Sequence, residues 1–184
     1  MKRTFTHLLT LFALMIATSA CSDDLVQAPA EAEPDTIESI DDVAFLQGEW
    51  GGTLEYLDYT SERRVSLAVD VNITRGQGEA GDPQFSVRMI FTEPDGRKVG
   101  GTSLFAVPES GIVDYNGDRW TVDSFTEIRN VPELVMSTLG QDDNRAATIR
   151  TTVRLEDGEL TIRKDVQYTG ETDYINRNVF TLEK

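Results

Sequence analysis

From about residue 49 onward, apolar and polar side chains alternate along the chain. In "RVSLAVDVNIT", Val65, Leu67, Val69, Val71 and Ile73 share one parity, and Ser66, Ala68, Asp70 and Asn72 share the other. In "FSVRMIF", Phe85, Val87, Met89 and Phe91 alternate with Ser86, Arg88 and Ile90. A period of two marks strands with one face in a core and one in water, the habit of antiparallel sheets. Between the runs stand "EPDGR" (93–97), "DYNGDRW" (114–120) and "LEDGEL" (155–160). Their Asp-Gly and Asn-Gly pairs accept the positive φ of tight hairpin turns. The pattern predicts about ten strands, near 49–59, 63–74, 84–92, 97–107, 111–115, 118–125, 132–139, 146–156, 159–168 and 174–183. One short helical turn is expected over Ser39–Phe45, capped by Ser39 with Asp42 in its first turn. A meander of so many strands closes into a barrel, because closure removes exposed edges. The expected fold is all-β: a single antiparallel up-and-down barrel of about 8–10 strands.

The Asp157-Gly158 pair fixes a register. A two-residue turn sets Glu156 opposite Glu159, then Leu155 opposite Leu160, Val153 opposite Ile162, Thr151 opposite Lys164 and Ile149 opposite Val166. Apart from Thr151 and Lys164 this face is apolar, so it points inward. On the other face Arg150 falls opposite Asp165, a surface ion pair of little energetic weight. An ammonium on a core face needs compensation, since stripping its water is expensive. Three arrangements provide it. Lys164 meets a ligand carboxylate or phosphate in a wet cavity; or it pairs internally with an acid such as Asp58, on the face of Trp50, Leu54 and Tyr56; or a bulge turns it outward. With a cavity, Lys164, Thr151, Tyr168, Trp50, Tyr56 and Phe91 are candidate wall residues; without one, the aromatics are core. Around Asn116-Gly117, Val113 falls opposite Trp120 and Asp114 opposite Arg119. Trp120 thus joins Val113, Tyr115 and Val122 as a second core anchor.

The N-terminal residues follow other rules. Lys2 and Arg3, the apolar run Leu8–Ala17 and the small residues Thr18-Ser19-Ala20 have the layout of a secretory signal peptide. The run is short for a permanent membrane-spanning helix. Cys21, the only cysteine, follows at once. This arrangement resembles a bacterial lipoprotein signal, with Thr18 where such signals carry Leu or another aliphatic residue. The resemblance implies a diacylglyceryl group on Cys21, cleavage after Ala20 and acylation of the new amine. Ser22 then implies the periplasmic face of the outer membrane in a bacterial cell envelope. Ordinary cleavage at Thr-Ser-Ala, leaving a free thiol, is the alternative; an exported chain with one unpaired cysteine favours attachment, and two acyl chains suffice to anchor it. Loss of Lys2 and Arg3 takes the formal charge from -15 to -17. Residues 22–42 hold eight acids and no Lys or Arg. The chain therefore reads as a signal peptide (1–20), a lipid-anchored acidic disordered tether (21–38) and a β-barrel domain (39–184) of a length suited to one core.

Candidate chemistry is bounded by what is missing. His7 is the only histidine, and both it and Cys21 precede the barrel. The domain therefore lacks the side chains for the usual zinc sites, for haem held through His, and for Ser-His-Asp or Cys-His triads. No metal, cofactor or catalytic residue is expected, and no disulfide forms within the domain. "DYNGD" places Asp114, Asn116 and Asp118 at alternate positions, but Arg119 and Phe125 stand where a calcium loop needs Gly and Glu. "QDDNR" (141–145) reads as a solvated acidic turn in preference to a calcium loop. A pair of carboxylates for glycoside hydrolysis is the one enzymatic arrangement the composition leaves open; no motif marks it, and a non-enzyme is expected. Nothing basic is clustered to meet phosphates, so nucleic acid is not an expected partner.

Gly48-Glu49-Trp50, at the start of the first strand, resembles the Gly-x-Trp signature of lipocalins and their calycin relatives. The resemblance covers residues 43–184. It implies that Trp50 closes one end of the barrel, with an Arg from the last strand, Arg177 of "YINRNVF", packed against it. Ten strands exceed the lipocalin eight and sit closer to fatty-acid-binding or nitrobindin-like barrels, with haem function in doubt for want of a histidine. Two functions follow. One is a membrane-anchored barrel holding a small amphipathic or hydrophobic ligand, with Lys164 as a polar handle. The other is a filled barrel acting as an interaction or inhibitor module on an envelope protein partner. Cavity volume separates them.

Overall fold

A computed structural model describes residues 36–184, and these form one closed antiparallel barrel. Its strands are β1 (Gly48–Leu57), β2 (Arg64–Gln77), β3 (Pro83–Thr92), β4 (Lys98–Glu109), β5 (Ile112–Tyr115), β6 (Asp118–Ile128), β7 (Val131–Asp142), β8 (Arg145–Glu156), β9 (Glu159–Tyr168) and β10 (Ile175–Glu183). Each pairs with its chain neighbours, and β1 closes the sheet against β10. All ten runs expected from alternation form. The β8–β9 register also follows the turn, with Thr151 opposite Lys164 and Ile149 opposite Val166. Two-residue hairpin turns supply the positive φ this geometry needs: Asn116-Gly117 at 54° and 86°, Asp157-Gly158 at 52° and 87°. The β6–β7 and β7–β8 turns achieve it without glycine, through Arg129-Asn130 and Asp143-Asn144.

One end of the barrel is plugged by the segment that leads into β1. Ile37, Ile40, Val43 and Leu46 are buried there, and the Gly111 N–H donates to the Ile37 carbonyl at 2.9 Å. Packing thus begins at Ile37, two residues before the boundary expected at 39. The helical turn is a single 3₁₀ turn, Ala44–Leu46, with Val43 at its N-cap and no side-chain cap. Ser39 is not the N-cap of this turn; its hydroxyl accepts the Asp41 N–H at 3.2 Å in the turn that precedes it. Asp42 does the equivalent work earlier in the chain, accepting the backbone N–H groups of Glu38 at 2.7 Å and Ser39 at 2.9 Å.

Trp50 sits over this plug. Its Nε1–H donates to the Leu46 carbonyl at 2.9 Å, and the residue is 3% exposed. The cation against its ring is Lys184, with Nζ 4.6 Å from the ring centroid. Arg177, the residue the calycin resemblance assigned to this position, lies at the opposite end. Antiparallel pairing explains the correction: Gly52 faces Leu182 while Tyr56 faces Asn178, so the last residues of β10 meet Trp50 and its first residues do not. Two glycines make the contact feasible. Gly48 has φ 139°, and Gly52 leaves room for the Thr181 carbonyl, which would lie 2.0 Å from a Cβ.

The expected lipidation site at Cys21, the expected signal segment (1–20) and most of the expected tether (21–38) lie outside the described residues. Among the described residues, no helix is long and apolar enough to cross a membrane. Trp50→Ala is expected to lower stability by about 3–5 kcal/mol, the range for aromatic truncation in a core. Trp50→Phe, which removes mainly the bond to Leu46, should lose about 1 kcal/mol. Urea unfolding of the two variants beside the wild type measures both.

Candidate functional site

The lumen above the plug holds a cavity of about 390 Å³. Leu46 of the plug forms part of its floor, and Val87, Phe105, Trp120, Ile149, Ile162 and Phe180 line its walls. The exposed residues Asn116, Asp118 and Gln141 also border it, which places its opening beside the β5–β6 turn. The strand lengths create that opening. β5 and β6 meet at Asn116-Gly117, whereas β4 and β7 run further. Lys98–Ser103 therefore pair only with β3, and Leu139–Asp142 only with β8. Leu104 and Leu139, 51% and 83% exposed, belong to the two strands that border this gap.

Within the lumen, a polar row crosses four adjacent strands. Thr151 on β8 faces Lys164 on β9, Lys164 faces Asn178 on β10, and Asn178 faces Tyr56 on β1. The first three line the cavity. A bulge in β10, between Asn176 and Asn178, keeps Asn178 in this row and inserts Arg177 as an extra residue.

Arg177 and Lys164 converge on Asp142, the inward-facing last residue of β7. Arg177 Nε donates to Asp142 Oδ2 at 2.9 Å, and Lys164 Nζ donates to Oδ1 at 3.2 Å. The Tyr168 hydroxyl donates to Oδ2 at 3.0 Å, and the Tyr59 hydroxyl, from the β1–β2 loop, to Oδ1 at 2.6 Å. Arg177 also donates to the Tyr168 oxygen and lies 4.6 Å from the Tyr59 ring. Asp142 is 4% exposed. Burial alone would raise its pKa, but the Tyr59 hydrogen bond, the charge and hydrogen bond of Lys164 and the Tyr168 hydroxyl outweigh it. The carboxyl is held below its ordinary value. Burial, together with the adjacent Asp142 carboxylate, pushes the Tyr59 phenol above its ordinary value. Chemically this cluster is a saturated carboxylate with two cations and two phenols locked around it.

The expected site residues therefore divide. Thr151 and Lys164 stand together in the cavity wall. Tyr168 is buried in the Asp142 cluster, with the Arg145 guanidinium 3.6 Å from its ring centroid. Tyr56 ends the polar row without lining the cavity, and Trp50 belongs to the plug. Phe91 packs against Phe180, their ring centroids 6.3 Å apart. Of the arrangements open to Lys164, it has an internal partner, which is Asp142 and not Asp58. Asp58 sits in the β1–β2 turn, where its carboxylate accepts the N–H groups of Thr60 and Ser61. A bulge is also present, but it falls in β10 and leaves the β8–β9 register intact. Outside the barrel, Asp165 is 3% exposed and not at the surface as expected; Arg163 holds both its oxygens at 2.9 Å, with Arg150 at 3.8 Å. Among the described residues, no three His, Cys, Asp or Glu side chains converge to hold a metal.

Sequence reasoning missed Asn178 and Tyr59 and misread Asp142. The solvated acidic turn expected over 141–145 does not include Asp142, which is buried and shares the parity of Leu134 and Met136 on β7. Asn178 carried a signal too, since it shares the parity of Phe180 and Leu182 on the same side of the bulge; Tyr59 lies in a loop where parity says nothing.

No family model and no curated protein matches this chain. Among solved structures, that of Rv2717c from M. tuberculosis is similar, with a TM-score of 0.57 at 15% sequence identity over 79% of this chain and 96% of that one. At that identity the likeness bears on the fold alone: a barrel.

Asp142→Asn, which keeps shape and removes charge, should destabilise the barrel by about 2–4 kcal/mol at neutral pH by leaving its cations without a counter-charge. Because the folded-state carboxyl is held low, its contribution is complete above the unfolded pKa of about 4 and disappears as pH falls through the lower, folded value. Denaturant unfolding along a pH series is expected to show a constant gap between variant and wild type above about pH 5, narrowing below about pH 4.

Proposed function

We propose that this chain is a membrane-anchored envelope lipoprotein, attached through Cys21, whose barrel holds a small amphipathic or hydrophobic molecule. The cavity carries this reading. Protein interiors are packed to crystal density, with few voids larger than a water molecule. The lumen instead keeps about 390 Å³ free, within the size range of small-molecule sites. Its lining combines apolar walls with a few grouped polar side chains, the usual composition of such sites. A filled barrel serving only as a protein-interaction module would have packed this space, so the cavity favours the binding reading. The acidic stretch ahead of the plug, from 22 to 36, serves as a self-repelling spacer between the anchor and the barrel. We assign no reaction to the site: Lys164 is tied to Asp142, and neither imidazole nor thiol is available as nucleophile or base.

Native mass spectrometry of the protein purified from its own host is expected to show a reproducible added mass that denaturation releases; a bare polypeptide mass would count against a resident ligand. For the anchor, growth with an alkyne-tagged fatty acid should label the wild type and leave Cys21→Ser unlabelled. Equal labelling of both would sink the attachment.

A further inference from the structure

We infer that the ligand is a monocarboxylate with a compact apolar body, its head group held at Lys164 beside Thr151 and Asn178. This rests on the reading that the cavity binds a small molecule, and it adds the chemistry of that molecule.

The charge count points there first. The buried cluster contains one carboxylate, Asp142, and two cations, Lys164 and Arg177. Both tyrosines donate to the carboxylate and supply no charge. One positive charge is therefore left without a counterpart inside a largely dehydrated group, where buried charges are ordinarily paired. Of the two cations, Arg177 is 11% exposed, donates to Asp142 and Tyr168, and is not part of the cavity lining. Lys164 is 30% exposed, lines the cavity and commits one of its three donors, to Asp142. The surplus charge is thus presented to the lumen by Lys164. Thr151 and Asn178, its partners on either side, add a hydroxyl and an amide on the same cavity wall.

Trp120 borders the same space. It is 7% exposed, and its indole Nε1 is buried with no hydrogen-bond partner. A buried donor left open is uncommon in folded proteins. An occupant bearing acceptor oxygens supplies what Lys164 lacks; the Trp120 nitrogen is enclosed by protein atoms and takes no part in the assignment. Asp118 is the carboxylate on the lining; it stands exposed at the rim, away from this pairing.

Volume limits the body. About 390 Å³ equals the liquid volume of roughly 13 waters, so an occupant has on the order of a dozen non-hydrogen atoms. Decanoate meets that limit, and 1-decanol is its uncharged counterpart of equal chain length.

The test is calorimetric titration of decanoate and 1-decanol into the full chain carrying Cys21→Ser, so that no attached acyl chain competes. Decanoate is expected to bind at least tenfold tighter than 1-decanol, equivalent to about 1.4 kcal/mol. In Lys164→Met the preference should fall below threefold with 1-decanol affinity retained, and Lys164→Arg should restore it. Adding Trp50→Phe leaves Trp120 as the only indole, and a saturable change in its emission on decanoate addition places the ligand in the lumen. Equal affinity for the two probes in the wild type, or a preference that survives Lys164→Met, overturns the carboxylate assignment while leaving the binding cavity in place. Binding of neither probe overturns both.

Discussion

β1 and β10 meet along six paired positions, from Gly51 opposite Glu183 to Tyr56 opposite Asn178. They can approach only because Gly52 has no Cβ where the Thr181 carbonyl passes. This seam turns an open meander into a closed barrel and leaves no free edge on either terminal strand. It also places an awkward demand on β10, which must pair with β9 and β1 at once while the sheet coils. The bulge between Asn176 and Asn178 meets the demand with one extra residue. That residue is Arg177, released from the ladder and turned onto Asp142. Closure and the composition of the polar cluster are thus consequences of the same local irregularity.

The two ends of the barrel are organised by different physics. At the Trp50 end, Ile37, Ile40, Val43 and Leu46 exclude water by apolar burial, with one indole hydrogen bond fixing the orientation. At the other end, the Asp142 carboxylate gathers donors from β9, β10 and the β1–β2 loop. A buried ion pair of this kind contributes little over an apolar packing of equal volume, yet it is directional and loses much when one member is removed. It therefore suits a place where loops must be held in one arrangement beside a space that stays open. The apolar plug needs no such definition.

The fold was readable because its governing signals are local. Alternation in runs such as Val65–Ile73, and Asn-Gly or Asp-Gly between runs, fix strands, turns and the β8–β9 register without reference to anything distant. That register put Lys164 and Thr151 in the lumen correctly. What failed was everything that depends on contacts across the barrel. Asp58 was a reasonable partner for Lys164 by face, but the true partner, Asp142, lies 22 residues away on a different strand. Arg177 was matched to Trp50 by analogy of strand order, although position along β10 decides which residue reaches that end, and Lys184 does. A single inserted residue in β10 was enough to conceal that Arg177 reaches Asp142. Parity arguments lose force at every bulge, and closed barrels with short strands need bulges to close.

An acidic chain surrounds a lumen whose lining carries one cation, Lys164, with one carboxylate, Asp118, at the rim. The chain carries a formal charge of -15, so an anionic ligand gains nothing from the field of the whole molecule as it approaches. At physiological ionic strength that repulsion is screened beyond about 8 Å. Lys164 and the lumen side chains act at contact distance, inside that screening length. For the carboxylate ligand proposed above, selection would then reside in the polar row formed by β8, β9 and β10. A protein of this net charge does not concentrate anions by long-range attraction, so the proposed discrimination has to come from contacts made inside the lumen.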